Sequence, residues 1–366
     1  MAPQPSRRDV LAYGAAATVA ATIGPVRYAR AAEFYAGKTI DVIVPFAAGG
    51  AGDVTTRFVT PFLTKHIPGN PNFNVIIMPG GGSILGANQF EKQGKKDGLL
   101  ILSTTSSSAF PFMFKQQGVE YNLANKRIGY SISIGPVVYT SPATGIEKPA
   151  DLLKPKIPLV YGGIGATGSD LPVLLAFELL GLPVKTVLGF KGRGPVRLAF
   201  ERGETNFDFQ FTSVYLTQVR ALVEAKKAVP LFTGGSANAK GDYTERDPVV
   251  KDLPSVYEVY KELHKKEPSG PAWGAFEATS ALTFQAGITG WMPEGTPQEA
   301  IDAFAIAAAK VNADPEFQER GKKVTGGYPL QAGKAVEPGI KKALSPSKEV
   351  ASYLHDLLTK KYNVKL

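Results

Sequence analysis

Three glycine-rich turns hold the residues best placed for chemistry. They read Val44-Pro-Phe-Ala-Ala-Gly-Gly-Ala-Gly-Asp53, Met78-Pro-Gly-Gly-Gly-Ser-Ile-Leu-Gly-Ala87 and Tyr161-Gly-Gly-Ile-Gly-Ala-Thr-Gly-Ser-Asp170. Each follows a short apolar run and precedes a segment with helical spacing. Glycine lets backbone approach a ligand closely, and a helix N-terminus presents unpaired N–H groups to an anion. Such turns converging on one cleft would hold a small carboxylate or phosphate without a metal.

Other chemistry is sparse. The three histidines, His66, His264 and His355, all sit in helically patterned segments, where packing or surface roles are the commoner outcome. No His-Glu-x-x-His, Gly-x-Ser-x-Gly or Walker A pattern occurs. Asp53 and Asp170 each follow a glycine turn, where an acid favours the first helical turn, and Asp208 stands apart. Gly163-Ile-Gly-Ala-Thr-Gly168 matches the dinucleotide fingerprint Gly-x-Gly-x-x-Gly between a strand and a helix. The following strand ends in Gly189-Phe-Lys-Gly-Arg-Gly-Pro195 without an acid for a ribose, although Lys191 and Arg193 could meet a 2′-phosphate. A secreted NADP-dependent oxidoreductase is therefore the rival reading. In the same turn Lys191 is a candidate contact for an acidic ligand, whereas Arg193 reads as a solvent-facing loop residue. The hydroxyls of Ser103-Thr-Thr-Ser-Ser-Ser108 follow a strand and are expected at a cleft mouth. Phe46, Phe110 and Phe190 are either cleft walls or core.

Elements that position these turns alternate between strand and helix from residue 38 onward, which predicts parallel βαβ units. Strands are expected at 38–45, 74–78 and 99–104, with helices at 53–65 and 84–92. A second set begins near Pro136 and alternates through residue 211. Beyond it a polar loop precedes a helix at 255–265, extended apolar segments at 270–296, and helices at 298–312 and 347–360. Thr296 is the expected N-cap of the first of these last two. The fold class is α/β with two lobes, each a mixed sheet flanked by helices and the ligand between them. Residues 32–135 and 235–366 make lobe one, and residues 136–234 make lobe two.

The chain has 366 residues, 44% hydrophobic and 20% charged, which fits a globular protein of about two domains. It has no cysteine, hence no disulfide, lipid-modified cysteine or thiol metal site. Residues 1–31 read as a cleaved leader, with Arg7-Arg8 ahead of an Ala-rich stretch and Ala29-Arg30-Ala31 before the cut. Both twin-arginine and ordinary Sec export fit this pattern, and either delivers a soluble periplasmic protein. The formal charge is +9, and removal of a leader bearing four arginines and one aspartate leaves +6. The lysines are dispersed, which argues against nucleic-acid binding.

The ordered set of motifs resembles the substrate-binding proteins of tripartite tricarboxylate transporters, the Bug family. Val44-Pro-Phe-Ala-Ala-Gly-Gly-Ala-Gly-Asp53 is similar to the family's Val-Pro-Phe-x-x-Gly-Gly-x-x-Asp signature. Gly80-Gly-Gly-Ser-Ile-Leu-Gly-Ala87, Asp97-Gly98, Gly165-Ala-Thr-Gly-Ser169, Phe190-Lys-Gly-Arg-Gly-Pro195 and Pro293-Glu-Gly-Thr-Pro297 follow in the same order. The resemblance implies a monomeric binding protein, without catalysis or cofactor, that closes on a carboxylated solute and delivers it to a membrane permease pair. It implies lobe-one contacts from Phe46, Ala47, Ala48, Gly49 and Gly50, with Asp53 ordering the turn and Ser83, Thr104, Thr105 and Ser106 nearby. Lobe two would contribute Gly165, Ala166, Thr167, Gly168 and Ser169, together with Phe190 and Lys191. Where many relatives carry Pro-Pro and a His, this chain has Ala47-Ala48 and Asp170. Asp170 is thus expected to set ligand preference, by repelling a second carboxylate or binding an amine. The long stretch 234–271 is expected to reshape the cleft rim.

Overall fold

The computed structural model describes residues 25–238 and 241–366. The twin-arginine segment lies outside these residues. Ala29-Arg30-Ala31 lies inside them, within a helix, Pro25–Tyr35, that packs along the helix Gln298–Ala313.

Two sheets organise the molecule. The first contains β1 (Thr39–Val44), β2 (Asn72–Ile77), β3 (Leu100–Thr104) and β4 (Arg127–Ile132), joined later by β10 (Ile288–Met292) and β11 (Leu330–Ala332). The second contains β5 (Pro136–Thr140), β6 (Leu159–Gly163), β7 (Val184–Leu188), β8 (Phe207–Phe211) and β9 (Val229–Thr233). The chain therefore crosses between sheets just before Pro136 and again after Thr233. Their strand orders are β11-β4-β10-β3-β1-β2 and β7-β6-β8-β5-β9.

Both sheets are mixed. β1 pairs in parallel with β2 and β3, whereas β10 runs antiparallel to β3 and β4. β6 pairs in parallel with β7 and β8, whereas β5 runs antiparallel to β8 and β9. The inner strands β3 and β8 are buried along their whole length, although β8 alternates phenylalanines with the polar Asp208 and Gln210.

Three departures from the sequence reading concern helices. Residues 271–285, expected to be extended, form the helix Pro271–Gln285, opened by a proline at a first-turn position. Its low amphipathicity hid it, because its apolar residues are spread around the axis. Thr296 caps no helix: its hydroxyl donates to the Pro293 carbonyl at 2.7 Å, and Pro297 occupies the cap position. Further helices, among them Ser106–Met113, Pro315–Val324 and Gly333–Ala343, were not anticipated.

Part of the long stretch 234–271 packs against the crossing between lobes. Asp247 is fully buried and accepts from the Tyr328 hydroxyl at 2.9 Å and the Val249 N–H at 2.8 Å. Its other carboxylate oxygen lies where a side chain on Gly135 would have to go, so the crossing needs glycine there.

Candidate functional site

Sheet order determines where a cleft can form. β1 sends its crossover to β2 on one side, and the next crossover returns to β3 on the other. The C-terminal ends of β1 and β3 therefore splay apart at a topological switch point, the preferred ligand position of an open α/β sheet. In the second sheet β6 stands in the same relation to β7 and β8. The two switch points face each other across one small space. Phe46 and Gly50 to Gly52 follow β1, and Thr105 follows β3; opposite them stand Ile164 and Ser169 after β6, with Phe211 ending β8.

The lobe-one jaw is a helix N-terminus. Gly50 is the extended cap residue of the helix Ala51–His66. Asp53 accepts the Gly49 N–H at 2.9 Å and pairs with Arg57 one turn on, so it orders the turn from behind. The first N–H groups of a helix have no intrahelical acceptor and carry the positive end of its dipole. A side chain on Gly52 would strike the Phe46 ring at 2.7 Å, so the first helical turn must be bare for Phe46 to lie over it.

Lobe two is built differently. Arg193, only 3% exposed, reaches from the turn after β7 into a cage of acceptors. It pairs with Asp170 at 2.9 Å and with Asp208, and donates to the Gly162 carbonyl at 3.1 Å and to the Phe209 carbonyl. The guanidinium lies 3.9 Å from the Phe209 ring centroid. Tyr161 donates to Asp170, and Tyr139 donates to Asp208 at 2.5 Å. Asp170 also accepts the N–H groups of Ile164 and Gly165 at 3.0 and 3.3 Å. Burial pushes the Asp208 carboxyl above the usual range against the pull of Arg193, and pushes both phenols well above theirs.

This arrangement corrects two expectations. Arg193 is the buried hub of lobe two, not a solvent-facing residue. Asp170 is fully buried, with its oxygens committed inside its own lobe, so it neither meets a ligand amine nor faces a second carboxylate directly. The same bonds count against the dinucleotide reading. The turn N–H groups of Ile164 and Gly165, which would have to receive a pyrophosphate, already serve Asp170.

The jaws touch. Ala47 donates its N–H to the Lys191 carbonyl at 3.1 Å, Ser169 donates its N–H to Ser107 Oγ at 2.8 Å, and Thr167 donates to Gln116 at 2.5 Å. Gly194 lies so close to the first turn that a Cβ would come within 2.8 Å of the Gly49 carbonyl carbon and 3.0 Å of Gly50 N. The space left between them is about 10 Å³, room for roughly one water. The two lobes thus stand closed against each other at these turns.

The residues singled out from sequence fall in different places. Phe46, Gly50, Thr105 and Ser169 line the shared space. Ala47, Ala48, Gly49, Thr167, Gly168 and Lys191 lie at the contact between jaws, with the Lys191 side chain exposed. Gly165 and Ala166 continue the lobe-two turn beside them. Ser83, Thr104 and Ser106 are held behind the cleft. Ser83 donates to the Ser107 carbonyl at 2.9 Å, Thr104 bonds Ser108 Oγ at 2.7 Å, and Ser106 bonds Thr283 at 3.0 Å. Phe190 packs over Gly162 within lobe two. Ala51, Gly52, Ile164, Arg193 and Phe211 were missed as lining residues. The polar positions Asp208 and Gln210, two apart in the apolar strand Phe207–Phe211, were the available signal that a buried cation lay nearby.

No protein-family model matches the chain. Among curated proteins it is similar to the UPF0065 protein in the TAR-I ttuE-ttuC' intergenic region of Agrobacterium vitis, 26% identical over 304 residues, covering 80% of this chain and 76% of the relative. Among solved structures it is similar to the periplasmic binding protein BugD, with TM-score 0.64, 18% identity, and coverage of 90% of this chain and 99% of BugD. MatC from Rhodopseudomonas palustris with bound malate gives TM-score 0.62 at 18% identity, covering 88% and 99%. An adipate-bound R. palustris protein gives 0.62 at 17%, covering 90% and 98%. These comparisons bear out the resemblance read from the ordered glycine turns, and the two mixed sheets are those of the periplasmic binding protein fold.

Proposed function

We propose that this chain, with the fold and ordered turns of the Bug-type periplasmic binding proteins, captures a small carboxylate-bearing solute between its lobes and hands it to a tripartite-type membrane permease. The observation that supports this most is the meeting of two topological switch points at one helix N-terminus. Binding needs no bond making. A solute touching both jaws stabilises the closed state by its differential affinity for closed over open. Malate and adipate in the structural neighbours support a carboxylate as the ligand class. Among the described residues, no helix is long and apolar enough to cross a membrane. We further infer export as a monomer through the leader, with cleavage after Ala31.

A thermal-shift screen of the purified protein over aliphatic, aromatic and amino acids tests the reading. A true ligand at 100 times its Kd stabilises the folded state by about 2.7 kcal/mol, a readily measured rise in Tm. No shift with any carboxylate at millimolar concentration contradicts it. A shift with NADPH alone would favour the oxidoreductase instead.

A further inference from the structure

A space of about 410 Å³, open to solvent, lies away from the cleft at the far pole of lobe two. Sites for small organic molecules occupy roughly 300–1,000 Å³, so it is large enough to hold one. Topology fixes its position. β5 runs antiparallel to β8, so Ser141 to Ala143, just past the end of β5, stand beside the start of β8. Phe211, at the other end of β8, lines the cleft. The five residues of β8 therefore separate the two places by about 15 Å. The helix Arg193–Glu201 spans the same distance, with its first turn at the cleft and Phe200 and Glu201 at the pole.

The lining joins an apolar wall to a cationic edge. Phe200, Leu222, Pro142 and Ala143 supply the wall. The Phe200 ring is held edge-on against Tyr139, with centroids 4.9 Å apart, so this surface is formed before anything binds. Lys226 and Lys227, exposed on the turn before β9, supply the charge. Neither lysine has an ion-pair partner among the described residues, and the one acid of the lining, Glu201, is paired with Arg197 on its own helix. Helix C-terminal carbonyls would favour a cation here. Those of Phe200 and Leu222 already accept the N–H groups of Gly203 at 2.9 Å and Lys227 at 2.7 Å. Two ammonium groups on neighbouring residues repel each other, and an anion bound beside them relieves that repulsion.

We infer that this pole is a second ligand site, separate from the cleft, for an organic anion with an apolar body. The acid group meets Lys226 and Lys227, and the apolar body covers Phe200 and Leu222. The site does not depend on what the cleft binds.

Fluorescence titration of the purified protein with two matched dyes tests this: anilinonaphthalene sulfonate, an anion, and N-phenylnaphthylamine, its neutral counterpart. The expected result is one saturable site that takes the anionic dye about tenfold more tightly, with the preference shrinking as salt is added. The double variant Lys226→Glu, Lys227→Glu, checked for native circular dichroism, should weaken the anionic dye about tenfold and leave the neutral dye nearly unchanged. Ala143→Glu, at an exposed position of the same lining, is the second variant and should weaken the anionic dye about threefold. Equal affinity for the two dyes, no saturable site, or unchanged binding of the anionic dye in both folded variants overturns the inference. Displacement of the dye by an acid that binds the cleft, with the variants unaffected, places the dye in the cleft and also overturns it. Displacement by polyglutamate at lower concentration than by benzoate or octanoate would make the pole a docking point for an acidic polypeptide, and the small-molecule site would fall.

Discussion

The two jaws are built from similar glycine turns and do opposite jobs. In lobe one, a single acid, Asp53, orders the turn from behind and the helix N-terminus in front stays available. In lobe two, Asp170 takes the turn's own N–H groups, and Arg193 fastens that turn to the next one and to β8. In one jaw the first-turn donors stay free, and in the other those of Ile164 and Gly165 are spent on holding the turn in position. A glycine-rich turn before a helix is therefore an anion site only if its N–H groups are not already spent on a neighbouring carboxylate.

The largest effect should come from breaking the lobe-two hub. Arg193→Met leaves two buried carboxylates without their cation, and loss of one partner from a buried pair costs about 3–5 kcal/mol. Urea unfolding should show that loss, with ligand binding abolished. A loss below about 1 kcal/mol would mean that the hub does not hold the jaw. The next effect is on closure. Gly194→Ala drives a methyl into the backbone of Ala48 to Gly50, so small-angle scattering should report a larger radius of gyration and binding should weaken about tenfold. An unchanged radius would show that the two turns do not meet in solution.

Asp53→Ala tests the lobe-one jaw and should be milder. It removes an acid from the first helical turn, worth about 0.3–1 kcal/mol, and leaves Gly49 N–H without its acceptor, so stability falls slightly and affinity falls several-fold. The smallest effect concerns pH. Burial raises the phenols of Tyr139 and Tyr161 well above 10, and that of Tyr130 to about 12. The unfolded chain loses these protons from about pH 10 while the folded chain keeps them. Their contribution to stability is thus complete below pH 10 and is lost as pH rises beyond it. Tyrosinate absorbance should show these rings ionising together with unfolding, and ionisation in a still-folded protein would contradict their burial.

Much of this contrast was legible in the residues. The glycine turns, the strands feeding them and the change of sheet near Pro136 all follow from local patterns of period and punctuation. So does Asp53, because an acid in a first turn acts within a few residues. The lobe-two hub was not legible, because Asp170, Arg193 and Asp208 are joined only once β6, β7 and β8 align. An arginine among glycines looks solvent-facing until the strand beside it proves to carry Asp208 and Gln210 on one buried face. The helix Pro271–Gln285 was hidden for a related reason: buried on several sides, it lacks the one-sided stripe that periodicity detects.

The most direct test of the division between jaws is a backbone amide NMR titration with a bound carboxylate. The amide protons of Ala51 and Gly52 should move downfield as they become donors to the ligand, while those of Ile164 and Gly165, already committed to Asp170, stay nearly in place. Large shifts at Ile164 and Gly165 with none at Ala51 and Gly52 would reverse the assignment and contradict the account.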